Sequence, residues 1–327
     1  LASAAGHGLD TRMLTAGEVA GLIPGHGAPW VGAMFTPSDA RAEPWQAVPL
    51  LAEGAVARGA VIVEDCAVRL LDVAAGRVAG VVTEQGRIAC DQVVVAGGAW
   101  SSLFLRAHGV AIPQLSVLAT VARTVPLPQV FAGNAVDDRL AFRRRADGGY
   151  TIAPGAAHDF FIGPDAFRNF AAYLPLLKQD FRSTRFRPMA PRHYPDAWGT
   201  PRRWAGDEVS PFERIRVLNP APNPRVLSQI RADFGRVLPG LEAPAIADAW
   251  AGMIDTMPDV VPVIDRAPQL PGLVIATGMC GHGFGIGPGM GRVIAALVAG
   301  ETPGHDLTRF RLSRFTDGSK LVVGTGL

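Results

Sequence analysis

The pattern of apolar and polar positions predicts a chain that mixes helices and strands. Residues 1–44, rich in Gly, Pro and Ala, show few clear elements. The next elements follow from apolar periodicity: a helix over 45–58, a short buried strand over 61–64, and a β-meander over 67–96 that ends in the apolar strand 93–96. Gly59 is suited to end the helix.

The middle of the chain, residues 111–261, has a different composition, with many Arg, Pro and aromatic residues. Its alternating stretches predict antiparallel strands, and two longer apolar patterns predict helices. The predicted strands are 116–124, 139–145 and 150–153, and the predicted helices lie near 164–181 and 223–238. This change of composition indicates a second domain.

The segment ATGMCGHGFGIGPGMG, residues 276–291, contains seven glycines in sixteen positions. It follows the apolar run 272–275 and leads into a helical pattern that starts at Met290 and ends at Gly300. A strand, a glycine-rich loop and a helix in series predict a site for an anion or dipole, because loop N–H groups and the positive helix end converge there. A tight corner without a ligand is the alternative. No G-x-G-x-x-G is present, since Ile286 stands where its last glycine would be.

Composition and charge limit the possible functions. The 327 residues carry a net charge of only +2, which is too mild for a nucleic-acid binder. The cysteines Cys66, Cys90 and Cys280 are far apart and lack metal spacing, so a reducing, cytoplasmic location is expected. No apolar run has the length of a membrane span.

Three segments, in order, resemble the D-amino-acid oxidase and sarcosine oxidase superfamily of FAD-dependent oxidoreductases. VVVAGGAWSSLFLRAHGVAIP, 93–113, is similar to its second flavin segment. WAGMIDTMPDVVPVID, 250–265, resembles its W-x-G-x-x-x-x-T-P-D-x-x-P-x-I segment, with Met257 in place of Thr. GLVIATGMCGHGFGIGPGMGRVIAALVAG, 272–300, resembles its terminal segment. FTPSDARAEP, 35–44, also resembles the loop before the family's helix.

The resemblance implies an α/β (α+β) fold of two interleaved domains. An incomplete, Rossmann-like FAD-binding domain would comprise 46–110 and 262–315, and an antiparallel-sheet substrate domain would comprise 1–45 and 111–261. Family members begin with a βαβ unit that carries G-x-G-x-x-G, and this sequence lacks it. The chain alone is therefore expected to bind FAD weakly and to be inactive. An unprotected sheet edge would also favour a homodimer.

The resemblance also implies which residues contact a flavin. These are Gly97, Gly98, Trp100, Gly281, His282, Gly283, Phe284 and Gly285. In the family the glycine-rich loop and the helix dipole face the pyrimidine end of the flavin ring. His282 is either a flavin contact or a packed polar residue. Because residues 250–259 contain no Cys, FAD is expected to be non-covalent, with Cys280 a small packed residue.

The residues for substrate recognition depart from the family pattern. Many relatives place a carboxylate-binding Arg where this chain has Ile254. Arg143 is the candidate replacement, and strand alternation would put it on the same face as Arg145, opposite Arg144. A solvated surface strand is the alternative for this basic run and is expected for at least two of its three arginines. Asp255 is expected either to pair with a substrate amine or to cap a loop.

The resemblance favours oxidation of an amine or amino acid by hydride transfer to flavin N5 in the full-length protein. No catalytic base is predicted. With Ile254 in place of Arg, a simple D-amino acid is expected to be a poor substrate, and a larger secondary amine or amino acid a better one. Two alternatives stay open: a truncated, non-catalytic subunit or interaction module of the same fold, and a hydroxy-acid dehydrogenase.

Overall fold

The computed structural model describes residues 1–181, 183–241 and 244–324. The helices are α1 Ala2–Gly6, α2 Ala16–Leu22, α3 Pro44–Val56, α4 Ser101–Ala107, α5 Pro164–Arg168, α6 Phe170–Asp180, α7 Pro211–Arg214, α8 Pro224–Val237 and α9 Gly283–Ala299. The strands are β1 Arg12–Thr15, β2 Gly32–Phe35, β3 Val68–Ala74, β4 Arg77–Thr83, β5 Gly86–Ala89, β6 Val93–Val95, β7 Leu115–Thr124, β8 Asn134–Val136, β9 Ala141–Arg144, β10 Tyr150–Ala153, β11 His158–Phe161, β12 Thr184–Arg187, β13 Ile246–Thr256, β14 Val263–Arg266 and β15 Leu273–Thr277.

The chain divides into two compact units, each with its own hydrophobic core. Unit 1 comprises Leu1–Ile62, Ala119–Ala157 and Ala221–Ala251, and unit 2 comprises Val63–Leu118, His158–Pro220 and Gly252–Leu327. These units do not follow the predicted domain limits, because α3 belongs to unit 1 and residues 158–220 belong to unit 2. The family-based division into a cofactor domain and a substrate domain stays a prediction.

Unit 2 contains the strands that lead to both glycine-rich segments. β6 and β15 are parallel neighbours, with Val93 opposite Leu273, and β14 pairs antiparallel with β15. All five residues of β15 are buried, as expected for a strand covered on both faces. The strands at 93–96 and 272–276, both assigned to the predicted FAD-binding domain, are therefore neighbours in one sheet.

The meander of unit 2 is shorter than predicted. β3, β4 and β5 form an antiparallel sheet with tight turns at 75–76 and 84–85. The last part of the predicted meander is divided, since β5 ends at Ala89 and β6 joins the other sheet. The strand predicted for 61–64 is wrong: this segment is not in a strand, and Val61 is 85% exposed. A strand needs a hydrogen-bonded neighbour, and no described strand supplies one there.

The rest of unit 2 consists of short elements around β11. β11 pairs antiparallel with the first half of β7 and parallel with β12. The helix predicted near 164–181 is divided in two by Asn169, which ends α5 and precedes α6. Apolar residues of both helices line a cavity together with residues of the neighbouring strands.

Unit 1 is built on an antiparallel sheet covered by α8. The second half of β7 pairs with β10, which pairs with β9, as predicted. Phe234 of α8 packs against Tyr150 and Phe142 in its core. Residues 1–44, where few elements were expected, form the antiparallel strand pair β1–β2 and two helices. The predicted helices at 45–58 and 223–238 are confirmed as α3 and α8.

Candidate functional site

Helix α9 begins earlier than predicted, at Gly283 instead of Met290. At its start, the Ile286 N–H donates to the carbonyl of the N-cap residue His282 at 3.2 Å. The predicted glycine-rich loop is therefore only a short turn, 278–282, and most of the glycines lie inside the helix. Apolar periodicity missed this part because glycine has no side chain to show a pattern.

The first turns of α9 present a bare surface. A Cβ added at Gly285, Gly287, Gly289 or Gly291 would meet no described atom within 4 Å. Glycine inside a helix costs about 0.5–1 kcal/mol relative to Ala, so these four residues together lower the stability of the helix considerably. Packing among the described residues does not require glycine at these four positions. A ligand that approaches the helix backbone closely would require it.

The turn before α9 has a backbone that requires glycine. Gly278 and Gly281 have φ of +77° and +81°, and a Cβ at Gly278 would come within 2.4 Å of Met257 Cγ. A Cβ at Gly281 would lie 3.7 Å from the Ile254 side chain. The structure thus brings Ile254 beside the glycine turn.

Asp255 holds this turn in place. Its Oδ2 accepts hydrogen bonds from the Gly278 N–H at 2.6 Å and the Thr277 hydroxyl at 3.1 Å. Gln114 Nε2 donates to the same oxygen at 3.2 Å. Of the two roles considered for Asp255, these contacts supply the loop-capping role.

Cys280 is a packed residue inside the turn. It is fully buried, its thiol donates to the Gly278 carbonyl at 3.0 Å, and its sulfur accepts from the Met257 N–H at 3.4 Å. Burial raises the pKa of this thiol to about 12. The thiolate needed for a covalent flavin bond is therefore strongly disfavoured.

The second glycine segment lies at the same edge of the sheet. Gly97 and Gly98 follow β6, and Thr277 ends the parallel neighbour β15. Gln114 Nε2 donates to the Gly98 carbonyl at 3.1 Å and to the Thr277 hydroxyl at 3.1 Å. Trp100 is half-buried against Phe212. The structure thus brings Gly97, Gly98 and the 278–282 turn together.

The side chains of His282 and Phe284 are exposed beside the start of α9. His282 is the N-cap residue but makes no side-chain capping hydrogen bond. The His282 side chain is therefore not packed against the described residues. A flavin contact by either side chain stays a prediction.

The residues in unit 2 fit the flavin that the resemblance implies. The first N–H groups of a helix lack helical acceptors, and those of α9 lie at an exposed, side-chain-free surface. With the helix dipole, they suit oxygen and nitrogen atoms that carry negative charge. Gly97 and Gly98 leave the neighbouring backbone equally accessible.

The candidate substrate residue Arg143 lies in unit 1 on β9. It donates to the Ala42 carbonyl at 2.8 Å and lies 3.3 Å from Glu43. Arg145 also reaches Glu43, at 3.7 Å, and both arginines donate to the Thr151 hydroxyl at 3.3 Å. Arg144 instead stacks over Tyr150. The predicted placement of Arg143 and Arg145 on one face is confirmed.

The alternative of a solvated surface strand is wrong for this basic run. Arg145 is 7% exposed, and Arg143 and Arg144 are partly buried. Burial of Glu43 opposes its ionisation, but the Ala146 N–H and the guanidinium groups of Arg143 and Arg145 outweigh burial and lower the pKa of Glu43. The charge of Arg143 is therefore already met by a carboxylate of this chain.

Sequence reasoning missed a polar cavity of about 460 Å³ in unit 1. Arg123 and Arg145 line it together with Asp147, Asp248 and Glu43, and Trp45 meets Trp250 edge to face at its rim. Arg123 Nε is buried and makes no hydrogen bond to the described residues, but it lies 3.7 Å from Asp248 Oδ2. The lining residues are far apart in sequence, and only the position of Trp250 in the W-x-G motif could have drawn attention to it.

The family of the chain follows from comparison with known proteins. Residues 1–297 match a protein family described as DAO, FAD dependent oxidoreductase. L-Amino acid deaminase from Proteus myxofaciens, solved in complex with anthranilate, is 32% identical with a TM-score of 0.88. That match covers 94% of this chain and 68% of the deaminase.

Two curated relatives match over smaller shares of their length. N-Methyl-L-tryptophan oxidase from Salmonella typhimurium (strain LT2) is 40% identical over 80 residues, which are 24% of this chain and 21% of that protein. 4-Methylaminobutanoate oxidase (formaldehyde-forming) from Paenarthrobacter nicotinovorans is 26% identical over 288 residues, which are 87% of this chain and 30% of that protein. The chain thus spans less than a third of either relative.

Among the described residues, no helix combines the length and apolar character needed to cross a membrane. The mixed α/β fold, the two glycine-rich segments at one sheet edge and the match over residues 1–297 agree with one another. The chain belongs to the DAO family of FAD-dependent oxidoreductases.

Proposed function

We propose that this protein oxidises the carbon–nitrogen bond of an amine or amino acid, with FAD as the electron acceptor. Membership of the family supports the cofactor. The names of the relatives, two methylamine-type oxidases and an amino acid deaminase, support a nitrogen-bearing substrate. The observation that carries the proposal is the bare, exposed start of α9 above the Asp255-anchored turn.

The start of α9 would hold the pyrimidine end of the flavin. N–H groups from Gly283 to Gly285 are suited to donate to its oxygen and nitrogen atoms, and the helix dipole favours negative charge on that end of the ring. When bound, FAD supplies the acceptor atom, N5, for a hydride from the carbon that bears the amine. Gly97 and Gly98 would allow a second close approach to backbone.

Asp255 acts in this proposal as a positioning residue. Its Oδ2 fixes the Gly278 N–H and so sets the direction in which α9 leaves the turn. A charge-assisted hydrogen bond of 2.6 Å is strong enough to keep the turn ordered while its neighbours are exposed. The carboxylate itself need not contact the reacting carbon.

A substrate carboxylate would find no cation at Ile254, which presents hydrocarbon to Gly281. Arg143 stays the candidate partner from the sequence. A carboxylate there would share the guanidinium with Glu43, which already lies 3.3 Å away. Recognition through Arg143 therefore predicts a weak contribution to binding, and the substrate's apolar part would contribute more.

Replacing Gly285 with Leu tests the placement of FAD. No described atom lies within 4 Å of a Cβ there, so the new side chain should leave the folded chain intact but obstruct a group beside α9. In the full-length protein, we expect Gly285→Leu to weaken FAD binding at least about tenfold, the equivalent of one lost good contact. Flavin content per protein and FAD titration measure this.

Gly21→Leu is the matched control. Gly21 also lies in a helix, and a Cβ there also meets no described atom within 4 Å. Its FAD binding should equal that of the parent. Equal flavin content in Gly285→Leu, Gly21→Leu and the parent would remove FAD from the start of α9.

A further inference from the structure

Unit 2 contains a second cavity, of about 230 Å³, that the proposed cofactor contacts do not use. It lies among the first half of β7, β11, β12, α5, α6 and the end of β13. Ten of its fourteen lining residues are aliphatic or Phe, and none is Asp, Glu, Lys or Arg. Leu115, Val117, Phe160 and Leu177 form much of the wall.

The polar groups in the wall bond to one another. The Tyr173 hydroxyl donates to the Thr256 carbonyl at 2.6 Å and accepts from the Leu115 N–H at 3.2 Å. His158 Nε2 lies 3.1 Å from the Thr184 hydroxyl. A charged group that entered would lose its hydration without gaining a partner, at a cost of several kcal/mol. The part of a ligand that enters must therefore be uncharged and apolar.

The size and the opening of the cavity indicate a ring or a branched chain. An apolar cavity of about 150 Å³ is large enough for benzene, so this one holds a larger group, such as an indole. Phe167, Phe170 and Phe186 line the cavity and are also 67%, 56% and 42% exposed. An internal packing void would not be bordered by exposed aromatic rings, so the cavity is accessible from outside.

The opposite end of the cavity lies next to the glycine turn, within the same unit. Side chains alternate between the two faces of a strand, so Thr256, which lines the cavity, shares a face of β13 with Ile254. The Ile254 side chain lies beside Gly281 of the turn, where an added Cβ would be 3.7 Å away. The cavity wall on β13 thus continues through Ile254 to the glycine turn.

We propose that this cavity receives the apolar side chain of the substrate, an aromatic ring or a branched aliphatic chain. This inference rests on the proposed function. The carbon that bears the amine would then point toward the glycine turn, while the side chain extends toward the exposed rings. The substrate class is an apolar amino acid or amine rather than glycine, alanine or another small one.

Binding to the 327-residue chain tests the cavity without turnover. Indole serves as a free apolar probe, and N-methyl-L-tryptophan, L-phenylalanine and L-alanine as amino-acid probes, in calorimetric titrations. We expect indole and the two aromatic amino acids to bind, and L-alanine to bind at least about tenfold more weakly. Val117→Phe, which fills the cavity, should weaken the three aromatic probes about tenfold or more.

Two further variants keep the test valid if Val117→Phe does not fold. Leu177→Ala enlarges the cavity and should increase the preference for indole over a single ring. Leu174→Ala is the control: it makes the same change on α6 at a partly exposed residue that does not line the cavity. Its affinities should stay within about twofold of the parent.

The probes distinguish a free apolar molecule from the side chain of an amino acid as the occupant of the cavity. Binding of indole alone, with no binding of aromatic amino acids, would assign the cavity to free apolar molecules and overturn the proposal. Absence of binding by every probe would also overturn it. In turnover by the flavin-loaded protein, Val117→Phe should lower kcat/KM for an aromatic substrate and spare a small one. Failure of the proposed function itself would appear separately, as aromatic binding without flavin reduction.

Discussion

At the scale of single residues, Arg314 and Asp259 form an ion pair that is almost wholly buried in unit 2, each 4% exposed. Arg314 Nε donates to Asp259 Oδ2 at 2.8 Å, and its Nη2 donates to the Val261 carbonyl at 2.6 Å. Breaking one partner of such a pair leaves the other charge buried without compensation. Asp259 is the Asp of the W-x-G-x-x-x-x-T-P-D-x-x-P-x-I segment. The ion pair gives this motif residue a structural role.

We expect Arg314→Met to lower the free energy of unfolding by about 3–5 kcal/mol. The control is Arg12→Met, which breaks the exposed pair of Arg12 with Glu18. It should change the free energy of unfolding by less than about 1 kcal/mol. Urea unfolding of both variants beside the parent gives the comparison. Equal losses in the two variants would contradict the structural role of the buried pair.

A pH dependence follows from Glu213. Its side chain pairs with Arg69 at 2.8 Å, and this hydrogen bond, reinforced by the N–H and hydroxyl of Ser210, lowers the pKa of Glu213 from 4.5 to about 2. Because the folded-state pKa is the lower one, the contribution to stability is present above pH 4.5. It is lost as the pH falls toward about 2.

Glu213→Gln should therefore lose less stability than the parent as the pH falls from 4.5 to about 2. Urea midpoints of the variant and the parent, measured at several pH values between 4.5 and about 2, provide the test. Glu301→Gln, at an exposed position after α9, is the matched control and should keep the parent's slope. An unchanged slope in Glu213→Gln would show that the Arg69 pair does not govern acid stability.

At the scale of elements, apolar periodicity found those helices and strands that carry enough side chains to show a pattern. α3, α8, β7 and the hairpin of β9 and β10 follow the predicted limits closely. It failed at the start of α9, where glycines carry no pattern. It also failed at 61–64, where a strand-like sequence has no described neighbour. Both failures reflect information that lies outside the local sequence.

Two glycines of unit 2 should respond to Ala in opposite directions. Gly272 has φ +93°, and a Cβ there would lie 2.4 Å from the Asp91 carbonyl oxygen. Gly291 lies in α9 with open space around its Cβ position. We expect Gly272→Ala to lower the free energy of unfolding by more than about 1 kcal/mol, and Gly291→Ala to raise it by up to about 1 kcal/mol.

Thermal and urea unfolding of the two variants check this prediction, and each serves as the control for the other. Destabilisation by Gly291→Ala would mean that the bare face of α9 is needed for the fold itself. The interpretation of that face as an approach surface for a ligand would then lose its basis.

At the scale of the whole molecule, the sequence identified the family but not the cavities. The family depends on contiguous motifs, which a single sequence displays directly. The apolar cavity of unit 2 instead combines residues 115–117, 158–186 and 256, and the polar cavity of unit 1 combines residues 43–46, 123, 145–147 and 248–250. Contacts over such separations depend on the packing of elements, which local patterns do not contain.

Contacts between distant parts of the chain also explain why the prediction of Arg143 as the substrate residue was only partly informative. Strand alternation placed Arg143 and Arg145 correctly on one face. It could not show that Glu43, about a hundred residues earlier, would meet both charges. The proposed recognition therefore moves from a single cation to an apolar cavity.

The central claim is that the protein oxidises a carbon–nitrogen bond by reducing FAD, and anaerobic flavin reduction tests it most directly. The full-length, flavin-loaded protein is mixed without oxygen with L-phenylalanine, N-methyl-L-tryptophan and the 2-hydroxy acid that matches L-phenylalanine, while flavin absorbance is followed. We predict that at least one of the two nitrogen-bearing compounds bleaches the flavin and that the hydroxy acid does not. Bleaching by the hydroxy acid alone, or by none of the three compounds, would contradict the account.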